Sequence, residues 1–158
     1  MNKLIILVFS LLSACQAPLT YDDETGDNPN VAFKVIAQGQ HSNISIANQL
    51  VIRNKSDWIN LLKINGDNSL NTPEKSKHLA VDFGDNIVIA LFAGQQPSGG
   101  YSININNIKQ VDNNLFVTIN FTEPNKNEGV TLALTQPYIM VTTEKNDGKV
   151  IFLAPQQK

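Results

Sequence analysis

The stretch Ile87-Val88-Ile89-Ala90-Leu91-Phe92-Ala93 decides the fold of this chain. It is a continuous run of apolar residues, with no polar residue at alternate positions. A strand at the centre of a sheet has this pattern when both of its faces are buried, because neither face meets water. We therefore predict a central strand here, buried on both faces.

The segments around this run alternate between apolar and polar residues, which predicts strands with one buried face. The alternation is clearest at 101–106 and 115–121, and the turn-forming residues 111–114 between them predict a hairpin. Asn146-Asp147-Gly148 is expected to form a second tight hairpin between the last two strands, since Asp-Gly accepts positive φ angles. Further strands are expected at 33–37, 50–52, 132–134, 138–142 and 150–153.

One segment carries the signals of a helix. Ser56 is a good N-cap, Asp57 lies in the first turn, and Asn65-Gly66 ends the segment. With seven or eight strands and no repeated β-α order, we expect a mainly β fold. The form expected is an antiparallel β-sandwich or a partly open barrel with one packed α-helix. The apolar stripe of the helix at helical spacing consists of Trp58, Ile59, Leu61 and Leu62.

The N-terminal residues have the pattern of an export signal. Lys3 gives a positive start, and the apolar run from Leu4 to Leu12 is shorter than the about 20 residues that a membrane-spanning helix needs. The run ends in Leu12-Ser13-Ala14-Cys15, which resembles the lipobox of bacterial lipoproteins. This resemblance implies cleavage before Cys15 and diacylation of its thiol. The alternative is an ordinary secretory signal that happens to contain a cysteine.

Three parts of the chain follow from this reading. Residues 1–14 are expected to be a lipoprotein signal peptide, and residues 15–30 a lipidated cysteine followed by a flexible, acidic tether. Residues 31–158 form the expected β domain. The lipid would be the membrane anchor. The residue after the cysteine is Gln16, whereas an aspartate at that position resembles the inner-membrane retention signal of many Gram-negative lipoproteins. We therefore expect a lipid-anchored protein of the cell envelope, at the outer membrane.

The composition gives little support for catalysis or nucleic-acid binding. The 158-residue chain has a formal net charge of -2 and no basic stretch, so nucleic acid is not an expected partner. Its two histidines, His41 and His78, lie in polar surroundings without a recognisable motif, and the thiol of Cys15 would be blocked by lipid. Asp82 and Asp85 lie in a predicted turn. We expect no catalytic residues, no cofactor and no metal site.

One loop differs from the rest of the chain in its glycine content. It runs from Gly94 to Tyr101 and joins the most hydrophobic strand to an alternating one. Pro97 presets a turn, while Gly99 and Gly100 permit positive φ angles and leave the backbone open to close approach by another chain. The alternative interpretation is a glycine-rich corner with a purely structural role.

The sequence from 97 to 103, Pro-Ser-Gly-Gly-Tyr-Ser-Ile, resembles the Pro-Thr-Gly-Gly-Tyr-Ser-Ile signature of the PrcB C-terminal domain family. The helix start at 56–58, Glu123-Pro124 and Gln136-Pro137-Tyr138 agree with this resemblance, which covers roughly 47–153. The family is named for a lipoprotein subunit that binds and stabilises an extracytoplasmic subtilisin-like protease complex. The resemblance therefore implies a non-catalytic, envelope-anchored domain that binds a protein partner, such as a secreted or periplasmic protease.

A second resemblance gives an alternative function. The loops at 96–101 and 136–138 are similar to two loops of chagasin-type inhibitors, which insert into the cleft of papain-like proteases. The arginine and tryptophan of the second inhibitor loop are absent here, and only Gly129 matches their glycine-rich middle loop. A structural envelope lipoprotein without a specific client is the third possibility. The predicted partner-binding residues are Pro97, Ser98, Gly99, Gly100, Tyr101, Gln136, Pro137 and Tyr138.

Overall fold

The computed structural model describes residues 29–66, 80–125, 127 and 129–154. The predictions made for the signal peptide, for Cys15, for the tether as far as residue 28 and for His78 therefore lie outside the described residues. Within the described ranges, no helix combines the length and the apolar character that crossing a membrane requires. The elements, in chain order, are β1 (Phe33–Gly39), β2 (Asn48–Ile52), α1 (Lys55–Ile64), β3 (Asn86–Phe92), β4 (Ser102–Val111), β5 (Asn114–Thr122), β6 (Tyr138–Glu144) and β7 (Val150–Leu153).

The strands form two sheets that pack face to face. The four-stranded sheet has the order β1-β6-β3-β2, and all of its neighbours are antiparallel. The three-stranded sheet has the order β4-β5-β7, in which β4 and β5 are antiparallel while β5 and β7 are parallel. The predicted β-sandwich with one helix is confirmed, and the sheets do not close into a barrel.

The central strand predicted from the apolar run is β3, and both of its faces are buried. Ile87, Ile89 and Leu91 face the three-stranded sheet and join the core between the two sheets. Val88, Ala90 and Phe92 face the other way and pack against the helix, which contributes Trp58, Leu61 and Leu62. The molecule therefore has three layers, and β3 needs an apolar side chain at every position because it touches both outer layers.

The N-cap of α1 lies two residues before the predicted one. Asn54 is the N-cap, since its Oδ1 accepts a hydrogen bond from the backbone N–H of Asp57 at 2.9 Å, and Ser56 lies inside the first turn. Asparagine caps a helix at least as well as serine, so either residue fits the local pattern. The predicted end is confirmed: the Asn65 N–H donates to Leu61 O at 2.8 Å, and Gly66 has a φ of 72°.

The predicted hairpin between the two alternating strands is confirmed. β4 and β5 pair from Ser102 opposite Thr122 to Val111 opposite Asn114. The connecting residues are Asp112 and Asn113, and Asp112 takes a φ of 53°. Aspartate tolerates this left-handed conformation better than most residues, so the local sequence is sufficient to form the turn.

The hairpin predicted at 146–148 is wrong. β6 and β7 belong to different sheets, and β7 runs parallel to β5 with Leu115 opposite Val150. Residues 145–149 therefore carry the chain from one sheet to the other. Gly148 is required there for close packing rather than for a tight turn, because a Cβ at this position would lie 1.4 Å from Asn113 O.

The strand predicted at 132–134 is also wrong. Residues 132 and 133 form a bend, and Leu132 and Leu134 are 96% and 59% exposed. The chain here makes isolated hydrogen bonds to the segment 96–99 instead of a continuous ladder. Apolar residue type alone therefore did not bring this segment into the core.

The two sides of the sandwich differ in how they are closed. On one side the segment 29–31 pairs with β4, through a hydrogen bond from Val31 N–H to Ile108 O at 2.8 Å, and then continues into β1 of the other sheet. On the other side the edges are β2 and β7, and no described strand passes between them. We call this second side the open side.

Candidate functional site

Three segments meet at one end of the sandwich, where β3 passes into β4. The backbone N–H of Gln95 donates to Ser45 O at 2.9 Å. Gln96 exchanges two backbone hydrogen bonds with Thr135, at 2.8 and 3.1 Å, and Gly99 N–H donates to Thr131 O at 3.0 Å. These bonds join residues 45–47, 94–100 and 131–136 into one surface, which we call the loop end.

The loop from 94 to 100 is fixed by a further hydrogen bond and by one position that requires glycine. The buried hydroxyl of Thr135 donates to Ser98 O at 2.7 Å. Gly100 has a φ of 86°, and a Cβ there would lie 2.7 Å from Pro124 Cβ. Positive φ was predicted to be available at both Gly99 and Gly100, and of these two only Gly100 uses it. The loop is therefore a defined structure rather than a loose connection.

The structure brings the first predicted binding loop close to Gln136, but it does not expose all the predicted residues equally. Pro97 and Gly100 are exposed, and Ser98, Gly99, Tyr101 and Gln136 are half-buried. These residues share one end of the molecule because Gln136 directly follows Thr135, the partner of Gln96.

Pro137 and Tyr138 have supporting positions instead. Pro137 is fully buried, and its carbonyl accepts a hydrogen bond from Ala93 N–H at 2.9 Å. Tyr138 is half-buried at the start of β6 and stacks on Phe92, with ring centroids 6.1 Å apart. The side chain of Pro137 therefore has no surface to offer a partner, whereas the ring of Tyr138 is partly accessible.

The sequence analysis missed the apolar residues that this end exposes. Among the described residues, large hydrophobic side chains are exposed at Val35, Ile46, Ile64, Leu132 and Leu134. Three of these five belong to the loop end, where Ile46 is 79% and Leu132 96% exposed. Their residue types were visible in the sequence, but only the packing of the loops shows that no part of the described domain covers them.

A cleft lies next to the loop end and opens between the two sheets. Its volume is about 610 Å³. Its walls come from the start of β2, the ends of β3 and β5, the start of β4 and the residue after β7. None of the lining side chains is charged, and most are apolar. The lining residues are Ala47, Asn48, Gln49, Phe92, Ala93, Gln96, Ile103, Ile119, Phe121 and Ala154.

The titratable groups do not gather at this end. His41 is exposed and its backbone forms a single bridge to Gln136. Asp82 accepts a hydrogen bond from Gly84 N–H at 2.8 Å, which confirms the turn predicted around it. In the ranges that the structure describes, no group of three or more histidine, cysteine, aspartate or glutamate residues is placed to hold a metal ion.

Comparison with known proteins places the central part of the chain in a family. Residues 87–144 match the family model described as PrcB C-terminal. The match runs from β3 to the end of β6 and includes most of the loop end, although it is shorter than the resemblance from 47 to 153. No curated protein and no solved structure matches the chain. The resemblance to this family is therefore confirmed for the segment from β3 to β6, which is similar to the PrcB C-terminal domain.

Proposed function

We propose that this protein is a lipid-anchored, non-catalytic component of the cell envelope whose loop end binds a protein partner in a protease complex. The PrcB C-terminal domain links the chain to such a complex. The anchor and the outer-membrane location rest on the N-terminal pattern that ends in Cys15. Two acyl chains on that residue would give stable membrane attachment, whereas one would give only marginal binding.

The observation that carries this proposal is the exposure of Ile46, Leu132 and Leu134 on one surface. Burying a leucine or isoleucine side chain completely contributes about 1.5–3 kcal/mol of favourable free energy. A partner that covers several such side chains at once therefore gains binding free energy from each of them. The segments that carry them are tied to the loop 94–100 by backbone hydrogen bonds. A surface ordered in advance loses less conformational entropy on binding.

The two alternatives receive less support. A chagasin-like inhibitor needs a second projecting loop, but at 136–138 Pro137 is buried and Tyr138 lies in β6. A purely structural lipoprotein has no need for exposed leucines on an ordered surface. The non-catalytic part of the proposal rests on the sequence, in which His41 and His78 lie in polar surroundings without a recognisable catalytic motif.

The experiment that tests the proposal is capture of envelope proteins by the full-length chain and by a double variant, Leu132→Ser with Leu134→Ser. Both side chains face solvent, so the free energy of unfolding should change by less than about 0.5 kcal/mol per site. Capture of the dominant partner should fall at least tenfold, since a loss of about 1.4 kcal/mol is enough for that.

The matched control is Ile64→Ser. Ile64 is 60% exposed, which is close to Leu134, but it lies at the end of α1 outside the loop end. This variant should capture the partner as well as the unmodified chain does. Equal capture by the double variant and the control would refute the proposed contact surface. Slowing of a papain-like or subtilisin-like protease by the purified chain would favour inhibition instead.

A further inference from the structure

Part of β5 has a neighbouring strand on one side only. β7 pairs with β5 from Leu115 to Thr118, while β5 continues to Thr122 and stays paired with β4 throughout. Beyond Thr118, no described strand lies on the β7 side of β5. The edge at Ile119–Thr122 therefore faces the open side of the sandwich.

The backbone of this edge points its hydrogen-bonding groups outwards. Leu115 N–H donates to Lys149 O at 2.9 Å, so the backbone groups of Leu115 face β7. Alternate residues of a strand direct their N–H and C=O groups to the same side, which places those of Ile119 and Phe121 on that side too. Because Leu153 lies opposite Thr118 in the parallel register, the Ile119 N–H is used by β7, and the unpaired groups are Ile119 C=O and both backbone groups of Phe121. An unpaired row of such groups is a template for another strand.

The chain does not extend β7 along this edge in the described residues. β7 ends at Leu153, and Ala154 lies at the cleft. Pro155 follows in the sequence, and proline has no amide hydrogen to donate to a parallel ladder. A segment that would pair with the rest of this edge is not among the described residues.

The cleft next to this edge indicates the chemistry of that segment. Ile119 and Phe121 of β5 line this space together with Ile103 of β4 and Ala93, which follows β3. A strand added to β5 would direct every second side chain into this space of about 610 Å³. Because the lining has no charged group, a charged side chain entering it would lose its hydration without gaining an ion pair. The cleft therefore favours an uncharged segment with apolar residues at alternate positions.

We propose that the partner donates such an extended segment, which pairs with Ile119–Thr122 as an added strand and fills the cleft with its apolar side chains. This inference rests on the proposed function for the claim that the ligand is a protein. The cleft is continuous with the loop end, because Ala47 and Gln96 belong to both. An acyl chain would suit the apolar walls but would leave the backbone groups of Phe121 unpaired.

The test uses a short synthetic peptide of alternating valine and threonine, together with a fully N-methylated peptide of the same sequence. Exchange of the Phe121 amide hydrogen is followed by NMR in the full-length chain. We expect fast exchange in the free chain and at least tenfold slower exchange with the first peptide. The N-methylated peptide should have no effect, because its methyl groups prevent its backbone from approaching the strand edge and it has no amide hydrogen to donate to Phe121 C=O, although it keeps the side chains.

Three results would overturn the inference. A Phe121 amide that is already protected in the free chain would show that the edge is occupied by this chain or by a second copy. Absence of protection with the first peptide would show that the edge does not accept a strand. Equal protection by the N-methylated peptide would show that the cleft binds side chains without strand addition.

A pair of matched variants extends the test to the cleft. Gln49→Lys places a charge at the cleft wall, whereas Gln38→Lys makes the same change at an exposed position of β1, the opposite edge strand. The first variant should weaken peptide binding at least tenfold and the second should leave it unchanged. If Gln49→Lys still captures the partner while the double leucine variant fails, the proposed function stands and strand addition is refuted.

Discussion

Two connections carry the chain from the four-stranded sheet to the three-stranded sheet, and they differ in chemistry. Residues 145–149 follow β6 and contain no large apolar side chain. Residues 93–101 follow β3 and lie beside the exposed Leu132 and Leu134. The first connection is fixed by several side-chain hydrogen bonds in addition to backbone bonds, and the second mainly by backbone bonds to other loops. Residues 145–149 therefore serve to hold the two sheets together, whereas residues 93–101 border a surface that is open to contact.

The polar groups of the connection at 145–149 form hydrogen bonds with several other parts of the chain. The guanidinium of Arg53 donates through Nη1 to Asn146 O and through Nη2 to Gly148 O at 2.8 Å. Asn146 Oδ1 accepts a hydrogen bond from Gly148 N–H at 2.8 Å. Lys145 N–H donates to Asp85 O at 2.8 Å, so the connection is also tied to the start of the central strand. Removing one member of such a hydrogen-bond network leaves other polar groups without a partner, which lowers the stability of the fold.

The largest effect is expected for Gly148→Ala. The added Cβ would lie 1.4 Å from Asn113 O, a backbone atom in the tight turn between β4 and β5, so one of the two segments must move. We expect the free energy of unfolding to fall by about 3 kcal/mol or more, as measured by urea denaturation. The control is Gly129→Ala, because a Cβ there meets no atom within 4 Å. Equal midpoints for the two variants would contradict the proposed role of the connection.

A smaller loss is expected for Arg53→Ala. The variant removes both guanidinium hydrogen bonds to the connection and leaves two carbonyls to find other donors. Hydrogen bonds to charged groups contribute about 1.5–3 kcal/mol, and solvent around Arg53 favours the lower end of that range. Lys55→Ala, which removes an exposed cation from the start of α1, should leave the urea midpoint nearly unchanged. If Lys55→Ala lowers the urea midpoint as much as Arg53→Ala does, the effect comes from the change in net charge and not from the lost hydrogen bonds.

The smallest of the three effects is expected for Gly100→Ala, in the connection at the loop end. Its φ of 86° is unfavourable for alanine by about 1–2 kcal/mol, and the new Cβ would press on Pro124. Pro124 lies in a loop after β5, which can shift more easily than a two-residue turn. The urea midpoint should therefore fall less than for Gly148→Ala. An equal fall would show that both connections contribute alike to stability.

Much of the secondary structure was predictable because its causes are local. The apolar run at 87–93 identified β3, and alternation with a turn at 111–114 identified β4 and β5. Two errors arose where one local signal fits two outcomes. Asn54 and Ser56 are both good N-caps, and Asp147-Gly148 suits a hairpin as well as a crossing between sheets.

The candidate site was predictable only in part. The glycine-rich motif at 97–103 located the loop, and Gln136 was expected close to it. The exposure of Ile46 and Leu132 was not predictable, because an apolar residue type usually signals burial. The buried position of Pro137 was missed for the opposite reason, since Pro next to a strand is typical of exposed turns.

The amino-acid sequence by itself determined most of the segments that become strands, where the helix ends and which loop has the backbone freedom for close contact. Each of these features depends on the conformational preferences and spacing of a few neighbouring residues. Only the tertiary structure decided that β7 runs parallel to β5, that one side of the sandwich stays open and that the loop end exposes leucines. Those outcomes depend on residues far apart in the chain, whose packing a short stretch of sequence cannot specify.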